Sequence, residues 1–311
     1  MRNVSRQAGV PGELSRAPFR GSVAVDAGLV TKNQLRGPAY TRLFRGIYVR
    51  RGLEADASVR LAALRLHLDG SEGVVRGLTA AWLHGVWRPA PGDDLPLEFA
   101  RSPRKLGHDP ASDLVRAGGL LVTSKTRTCF DLMRRHGLVE AVVVADAFAA
   151  SGAISLPVLA GYCEDRRRWP EVRHARLALT LAHAGARSPG ETRLRMVVVL
   201  AGYEEPLVNV PVHDRDGAHL GTPDLTVPGR SWVHLEYDGA YHDEAAQHGR
   251  DLRRQNALIG YGGAPLLRFD WRHVLRQREC VLRDLALASG ERPRRALDDR
   301  DFVRGPRGSR W

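Results

Sequence analysis

The sequence predicts a mixed α/β fold of the α+β type, in which helices and strands are concentrated in different parts of the chain. Residues 19–54 show two short helical patterns followed by a β-hairpin pattern, and 55–187 repeat apolar residues mostly at helical spacing. Residues 188–289 open with a capped helix and continue with strand-forming runs, a pattern typical of a mixed sheet flanked by helices. A chain of 311 residues with 43% hydrophobic residues is long enough for about two domains with their own cores.

Local sequence signals in the segment 19–54 predict two short helices followed by a hairpin. Gly28 is placed to end the first helix in a left-handed conformation, and Thr31 with Gln34 matches a capping box for the second. Two β-prone runs flank Arg45-Gly46, which indicates a hairpin. Helix, tight turn, capped helix and hairpin is the element order of a winged helix-turn-helix, so residues 19–54 are predicted to be a winged-helix DNA-binding domain.

Arginines are predicted to lie on the second helix and on the wing of this segment. Arg36, Arg42 and Arg45 would contact phosphates there and position DNA. The alternative is that these side chains form the solvated face of a small helical cap. Both interpretations stay open, because the motif is short and basic faces are common.

The other segments outside 188–289 are predicted as follows. Residues 55–187 form a mainly helical middle region with a few strands, near 95–99 and 120–122. Residues 1–18 are a flexible leader, and 290–311 a basic disordered tail that adds weak electrostatic attraction to a polyanion.

Charge and cysteine usage narrow the class of partner and the compartment. Lys and Arg total 47 against 35 Asp and Glu, a formal charge of +12, which favours a nucleic acid as partner. DNA is the preferred partner, although RNA fits the electrostatics equally well. Cys129, Cys163 and Cys280 lie far apart, which argues against a zinc site or a disulfide framework. With no membrane-spanning run, we expect a cytoplasmic protein that does not bind a membrane.

A helix is predicted to begin at Ser188, with Pro189 at its first position and Glu191 at its third. A capping role is sufficient to explain Glu191, so a catalytic role would be additional.

Three carboxylates are predicted to converge beyond this helix. A hairpin centred near Arg230 places Asp224 directly across from Glu236, and Asp238 shares the face of Glu236 because side chains two apart project together. Like charges paired across strands destabilise a sheet unless a cation lies between them. A hard divalent cation, Mg²⁺ or Mn²⁺, bound by these three residues is one explanation. The alternative is a solvated acidic face on an exposed hairpin.

The ordered residues of this region resemble a known nuclease group. Pro223-Asp224 is followed by Glu236 in a Glu-x-Asp-Gly run that leads to Tyr241-His242. The match continues through Asp251-Leu252-Arg253-Arg254, Leu258, Gly262, Leu267-Arg268 and Trp271. Over about 188–287 the chain thus resembles the endonuclease-like branch of the PD-(D/E)XK superfamily related to very-short-patch-repair nucleases, with a restriction-endonuclease-like fold. More loosely, the N-terminal segment resembles the winged-helix domain of AbiEi-type antitoxins, and the two-part architecture is similar to that of a group of actinobacterial proteins.

The resemblance implies that Asp224 and Glu236 bind Mg²⁺ and that Glu191 supports them. It also reveals a departure: the superfamily's lysine, two residues after the second acid, is Asp238 here. Asp238 cannot supply positive charge, so it would act as a further metal ligand or as a base.

Three more side chains take roles by the same resemblance. His242 would be a general acid or would orient the attacking water, since imidazole exchanges protons near neutral pH. Arg254 and Arg268 would neutralise phosphate, although Arg254 could instead pair with a carboxylate inside the site.

His234 shares the acidic face and could be no more than a partner for the carboxylates.

These expectations lead to one preferred function and two alternatives. The preferred function is a Mg²⁺-dependent DNA endonuclease, a phosphodiester hydrolase targeted by the N-terminal winged helix. The first alternative is a non-catalytic DNA-binding regulator of the antitoxin or transcription-factor type, with a toxin as partner. The second is an RNA nuclease.

Overall fold

The structure is a computed structural model that describes residues 10–89, 93–107, 111–239, 258–260 and 263–303. Its fold is α+β, as the sequence predicts. The chain divides into two compact units, one ending at Thr128 and the other beginning at Cys129. Within the described ranges, no helix combines the length and the apolar character needed to cross a membrane.

The N-terminal part of the first unit contains two short helices and a three-stranded antiparallel sheet. Its elements are β1 (Phe19–Arg20), α1 (Gly21–Asp26), α2 (Lys32–Leu35), β2 (Tyr40–Phe44) and β3 (Ile47–Arg50). The strand order is β1-β3-β2. A small core encloses side chains from before, within and after the helices: Leu14, Ala24, Val30, Leu35 and Tyr40.

The local signals that predicted these elements are present. Thr31 and Gln34 form both hydrogen bonds of a capping box at the start of α2. Gly28 follows α1 with a φ of 70°, and Gly46 has a φ of 79° in the turn between β2 and β3. Both angles lie in the left-handed region that glycine adopts without steric cost. The predicted element order is therefore confirmed, with α2 reduced to a single turn.

The remainder of the first unit packs helices on a mixed sheet. Its elements are α3 (Ala57–Leu68), β4 (Val74–Val75), α4 (Gly77–Leu83), β5 (Phe99–Ala100), β6 (Leu114–Ala117), β7 (Leu120–Thr123) and the start of α5 (Lys125–Met133), with 3-10 turns at Gly12–Leu14, Pro103–Leu106 and Ala111–Asp113. The sheet order is β5-β4-β7-β6, and only β4 and β7 pair in parallel. A four-stranded sheet thus lies inside the segment predicted as mainly helical, because strands of two to four residues leave little periodicity in the sequence.

The second unit places a helical layer on one face of a mixed sheet. Its helices are α6 (Leu138–Ala150), α7 (Leu156–Asp165), α8 (Val172–Thr180), α9 (Pro189–Leu200), α10 (Trp271–Arg276) and α11 (Arg278–Ser289), with a 3-10 turn at Asp299–Phe302. Its strands are β8 (Leu207–Val208), β9 (Val212–His213), β10 (His219–Gly221), β11 (Leu225–Val227), β12 (Val233–Asp238) and β13 (Leu266–Asp270).

The main sheet of this unit has the order β13-β12-β11-β8, and β9 pairs separately with β10. Strand β12 pairs antiparallel with β11 and parallel with β13. Val233 and Leu235 project to the helical side, where they join Leu194 of α9 and Leu285 of α11 in the core. Residues at the intervening positions of β12 therefore occupy the opposite face, which carries the candidate site.

Two of the predicted strands are interrupted. The run 207–212 breaks at Asn209, whose φ of 52° is left-handed and incompatible with a continuous strand. The run 218–227 separates into β10 and β11 around Pro223, which has no N–H to donate to a ladder.

The predicted leader and tail are more structured than expected where the structure describes them. Leu14 is buried in the N-terminal core, which corrects the flexible leader for residues 10–18. Leu297 and Phe302 pack against the core of the second unit, which corrects the disordered tail for residues 290–303. In both cases a few apolar residues are enough to fix an otherwise polar segment.

Candidate active site

The register between β11 and β12 brings the two principal carboxylates to neighbouring positions. Leu225 pairs with Leu235, so the preceding Asp224 faces Glu236, which is the predicted register. The Oδ2 atom of Asp224 accepts a hydrogen bond of 2.8 Å from the backbone N–H of Tyr237. The Asp224 carboxylate therefore lies against β12, next to the residue that follows Glu236.

Arg268 lies on the other side of Glu236. In the parallel pair β12–β13, Glu236 is opposite Arg268, and Asp238 is opposite Asp270. The Nε atom of Arg268 is 3.6 Å from Oε2 of Glu236, and its Nη2 donates to Oδ1 of Asp238. A guanidinium thus neutralises two of the three predicted metal ligands, which lie two apart on one face.

Glu191 is fixed at the first turn of α9. Its backbone N–H donates to Oγ of Ser188, so the predicted N-cap is confirmed. Its own Oε2 accepts from the backbone N–H of Arg187 at 2.9 Å and from Nδ2 of Asn209 at 3.0 Å. Glu191 is therefore buried and held by two donors.

Asn209 connects Glu191 with the carboxylate pair, and sequence reasoning missed it. While its side chain bonds Glu191, its backbone N–H donates to the carbonyl oxygen of Asp224 at 2.9 Å. Its left-handed backbone makes both contacts available, and asparagine adopts that conformation more readily than most residues. Nothing in the local pattern distinguishes this asparagine from one in an ordinary turn.

The ring of Tyr237 packs against the first turn of α9, which carries Glu191. A Cβ atom added to Gly190 would lie 2.0 Å from Cε1 of Tyr237, so the first turn of α9 passes directly over that ring. Because the backbone of Tyr237 also holds Asp224, the start of α9 and the acidic pair are packed as one assembly.

Two buried ion pairs fix the orientation of α9 on α6. Arg193 binds Glu140 through two parallel hydrogen bonds of 2.7 and 2.8 Å. Arg195 lies 3.2 Å from Asp146, and all four side chains are at least nine-tenths buried. Burial raises the pKa of Asp146 to about 6, although Arg195 and hydrogen bonds oppose the shift.

His234 shares the face of Glu236 but pairs with Thr226, its Nδ1 lying 2.9 Å from Oγ1. The interpretation of His234 as a partner for the carboxylates is therefore wrong in this structure. Burial lowers the pKa of His234, because the charged ring is disfavoured away from water.

The other predicted site residues fall outside this assembly. His242 and Arg254 lie outside the described residues. Arg36, Arg42 and Arg45 belong to the first unit, where all three side chains are exposed on or next to α2 and the β2–β3 hairpin.

Carboxylate oxygens are the donors that Mg²⁺ and Mn²⁺ prefer, so Asp224 and Glu236 fit such an ion chemically. Yet among the residues that the structure describes, no group of three or more His, Cys, Asp or Glu side chains is arranged to hold a metal ion. In this structure Arg268 is the cation beside Glu236 and Asp238, and Asp224 is bonded to Tyr237. Binding by all three predicted carboxylates would therefore require Arg268 to give up Asp238.

The site combines adjacent carboxylates and an arginine on neighbouring strands of the main sheet with a buried supporting glutamate on α9. Comparison of the chain with protein-family models, curated proteins and solved structures finds no match. Its function is therefore inferred from these residues and their geometry.

Proposed function

We propose that the second unit is a metal-dependent DNA endonuclease domain of the PD-(D/E)XK type, which hydrolyses phosphodiester bonds with Mg²⁺ or Mn²⁺. The single observation that carries this proposal is the register that places Asp224 opposite Glu236, with Arg268 beside Glu236 on the next strand. Two acids and a cation within one small area provide both ligands for a metal and a contact for phosphate.

Asp224 and Glu236 would hold the ion, which when bound supplies Lewis acidity and lowers the pKa of a coordinated water. Glu191 acts on the pair through Asn209, whose backbone N–H binds the Asp224 carbonyl. Glu191 is thus a positioning residue. Its burial and two donors keep it in one orientation.

Arg268 compensates for the aspartate that stands where the superfamily has lysine. Its guanidinium reaches the same area from β13 and can bind a phosphate oxygen, a role that Asp238 cannot fill. His242 is proposed as general acid or water-orienting residue and Arg254 as a phosphate contact, both from the resemblance.

The first unit is proposed to position DNA. Arg36, Arg42 and Arg45 are exposed around a helix-turn-helix and its hairpin, where cationic side chains suit backbone phosphates. The same exposed arginines favour the alternative, a DNA-binding regulator of the AbiEi type with a toxin as partner, because binding alone needs no metal site.

Incubation with supercoiled plasmid and Mg²⁺ or Mn²⁺ tests the endonuclease. We expect nicking by the wild-type protein and a loss of about 100-fold or more in Asp224→Asn and Glu236→Gln. Asp284→Asn removes a carboxylate from the surface of α11 and serves as the matched control, with activity unchanged. Thermal unfolding of each variant confirms that it is folded.

The outcomes separate the two candidate functions. DNA binding without cleavage under any metal condition, unaffected by Asp224→Asn and Glu236→Gln, would support the regulator. Cleavage that persists in both variants would place the chemistry elsewhere.

A further inference from the structure

A groove of about 490 Å³ opens in the second unit on the same side of the sheet as the acidic pair. His234 and Thr226 line it, and His234 lies two residues before Glu236 on β12. Residues two apart on a strand share a face and are about 7 Å apart. The groove therefore adjoins the candidate site along the sheet.

His234 gives the groove a polar group that needs a partner. The side chain is buried, with 3% of the residue exposed, and Nδ1 is taken by Thr226. Within the described part of the chain, Nε2 has no hydrogen-bond partner. A neutral imidazole carries one donor and one acceptor, and a buried one without a partner is costly. Nε2 itself is closed to solvent, so a ligand with a polar edge would satisfy it only after the imidazole turns toward the opening.

The rim of the groove includes an aromatic and two aliphatic side chains. Trp232 is 50% exposed, and Leu207 and Val210 are also unusually exposed for apolar residues. Arg230 adds a cation at the same opening. A half-exposed indole, two exposed aliphatic side chains, an arginine and one buried polar group together suit a planar heteroaromatic ring attached to an anionic backbone.

We propose that this groove binds an unpaired base of single-stranded DNA next to the phosphodiester that is cleaved. The base stacks on Trp232, its polar edge meets Nε2 of His234 after that ring turns toward the groove, and Arg230 contacts a flanking phosphate. This assignment rests on the proposed endonuclease function and adds a preference for DNA with a single-stranded segment, such as a strand overhang.

Equilibrium binding without divalent cations tests the groove separately from catalysis. Fluorescence anisotropy compares a duplex bearing a thymidine overhang with a blunt duplex that has the same number of phosphates. Because stacking of a base on an aromatic side chain contributes about 5- to 150-fold in affinity, we expect the overhang to bind at least fivefold more tightly. Trp232→Ala should abolish that preference, and Trp232→Phe should retain most of it.

Two further variants complete the comparison. His234→Gln keeps a polar side chain but changes its geometry, and should reduce the preference without abolishing binding. Leu287→Ala removes an apolar side chain from the exposed surface of α11, outside the groove, and should leave the preference intact.

Equal affinity of the wild-type protein for the two duplexes, or a preference that survives Trp232→Ala, overturns the assignment. Tighter binding of a ribonucleotide overhang would assign the groove to RNA instead. Plasmid cleavage without a preference for the overhang would reject the groove and keep the endonuclease. A preference for the overhang without plasmid cleavage would reject the endonuclease and keep the groove as a site for single-stranded DNA.

Discussion

Arg268 lies directly beside Glu236 in the parallel pair β12–β13, with its Nε 3.6 Å from the Oε2 of Glu236. The glutamate side chain is 7% exposed, and the arginine is 37% exposed. An almost buried carboxylate thus lies beside a cationic side chain that solvent can reach.

Arg268→Gln should therefore destabilise the second unit in a metal-sensitive way. Without divalent ions we expect a loss of about 1–2 kcal/mol, because Glu236 and Asp238 lose their shared cation. Mg²⁺ should raise the melting temperature of the variant more than that of the wild type, since a bound ion stabilises the folded state. The measurement is thermal unfolding with EDTA or Mg²⁺. Equal shifts for both proteins would contradict competition between Arg268 and the ion, and the absence of a shift in both would contradict the proposed metal site.

Gly190 should not tolerate even one added methyl group. In Gly190→Ala the new Cβ collides with the ring of Tyr237, whose backbone holds Asp224. We expect a loss of about 1–3 kcal/mol and reduced plasmid cleavage. Gly161→Ala in α7 is the matched control: its Cβ meets no atom within 4 Å, so the higher helix propensity of alanine should stabilise by about 1 kcal/mol. Urea denaturation would measure the free energy of unfolding of both variants. A stable, fully active Gly190→Ala variant would contradict the predicted collision with Tyr237.

The pair Glu140–Arg193 should behave as a buried ion pair. Glu140→Gln leaves the Arg193 charge without its partner, and we expect a cost of about 3–5 kcal/mol. Replacing both residues, as in Glu140→Leu with Arg193→Met, should cost less than the sum of the single changes. Glu164→Gln provides the control, since its pair with Arg176 is half exposed and contributes below about 1 kcal/mol. Similar losses for Glu140→Gln and Glu164→Gln in urea denaturation would contradict the prediction.

Asp146 should make the folded state more stable at acidic pH than at neutral pH. Its ordinary pKa is 3.8, and burial raises the pKa in the folded state to about 6. Between these values the unfolded chain has already lost a proton that the folded chain retains. Its contribution to the free energy of unfolding therefore falls, by about 3 kcal/mol in total, as the pH rises from about 4 to about 6. Urea denaturation across this range should show a slope that Asp146→Asn removes; identical profiles would reject the assignment.

Arg42 and Arg45 should contribute to DNA binding by electrostatic contacts with phosphates. A double variant with glutamine at both positions removes two exposed cations from the β2–β3 hairpin, and the dependence of log K on log salt should flatten by about 2. A second double variant, Arg167→Gln with Arg168→Gln, removes the same charge from an exposed part of the second unit. Binding of each double variant to a short duplex is measured over a salt series. Equal changes in the slope of log K against log salt for the two variants would contradict a specific role for the hairpin.

Local signals made much of this fold predictable. The capping box of Thr31 and Gln34 involves atoms three residues apart, so the sequence carries all the information it needs. The pairing of Asp224 with Glu236 was predictable for the same reason, because one tight connection sets the register of both strands.

Contacts between distant segments were not predictable in this way. Glu140 and Arg193 are 53 positions apart, and nothing near either residue indicates its partner. Arg268 was predicted as a phosphate contact, but its place beside Glu236 depends on a parallel pairing that no turn specifies. The role of Asn209 likewise depends on a backbone conformation that the neighbouring residues do not encode.

The attachment of α9 to α6 determines how small an independent nuclease module can be. Arginine stays protonated in proteins, so a fragment that begins at Ser188 would carry Arg193 without Glu140, and Arg195 with Glu205 but without Asp146. The unpaired Arg193 would either draw water into the helix packing or tilt the helix that carries Glu191. A transplantable module must therefore include α6, even though that helix contributes no atom to the acidic pair.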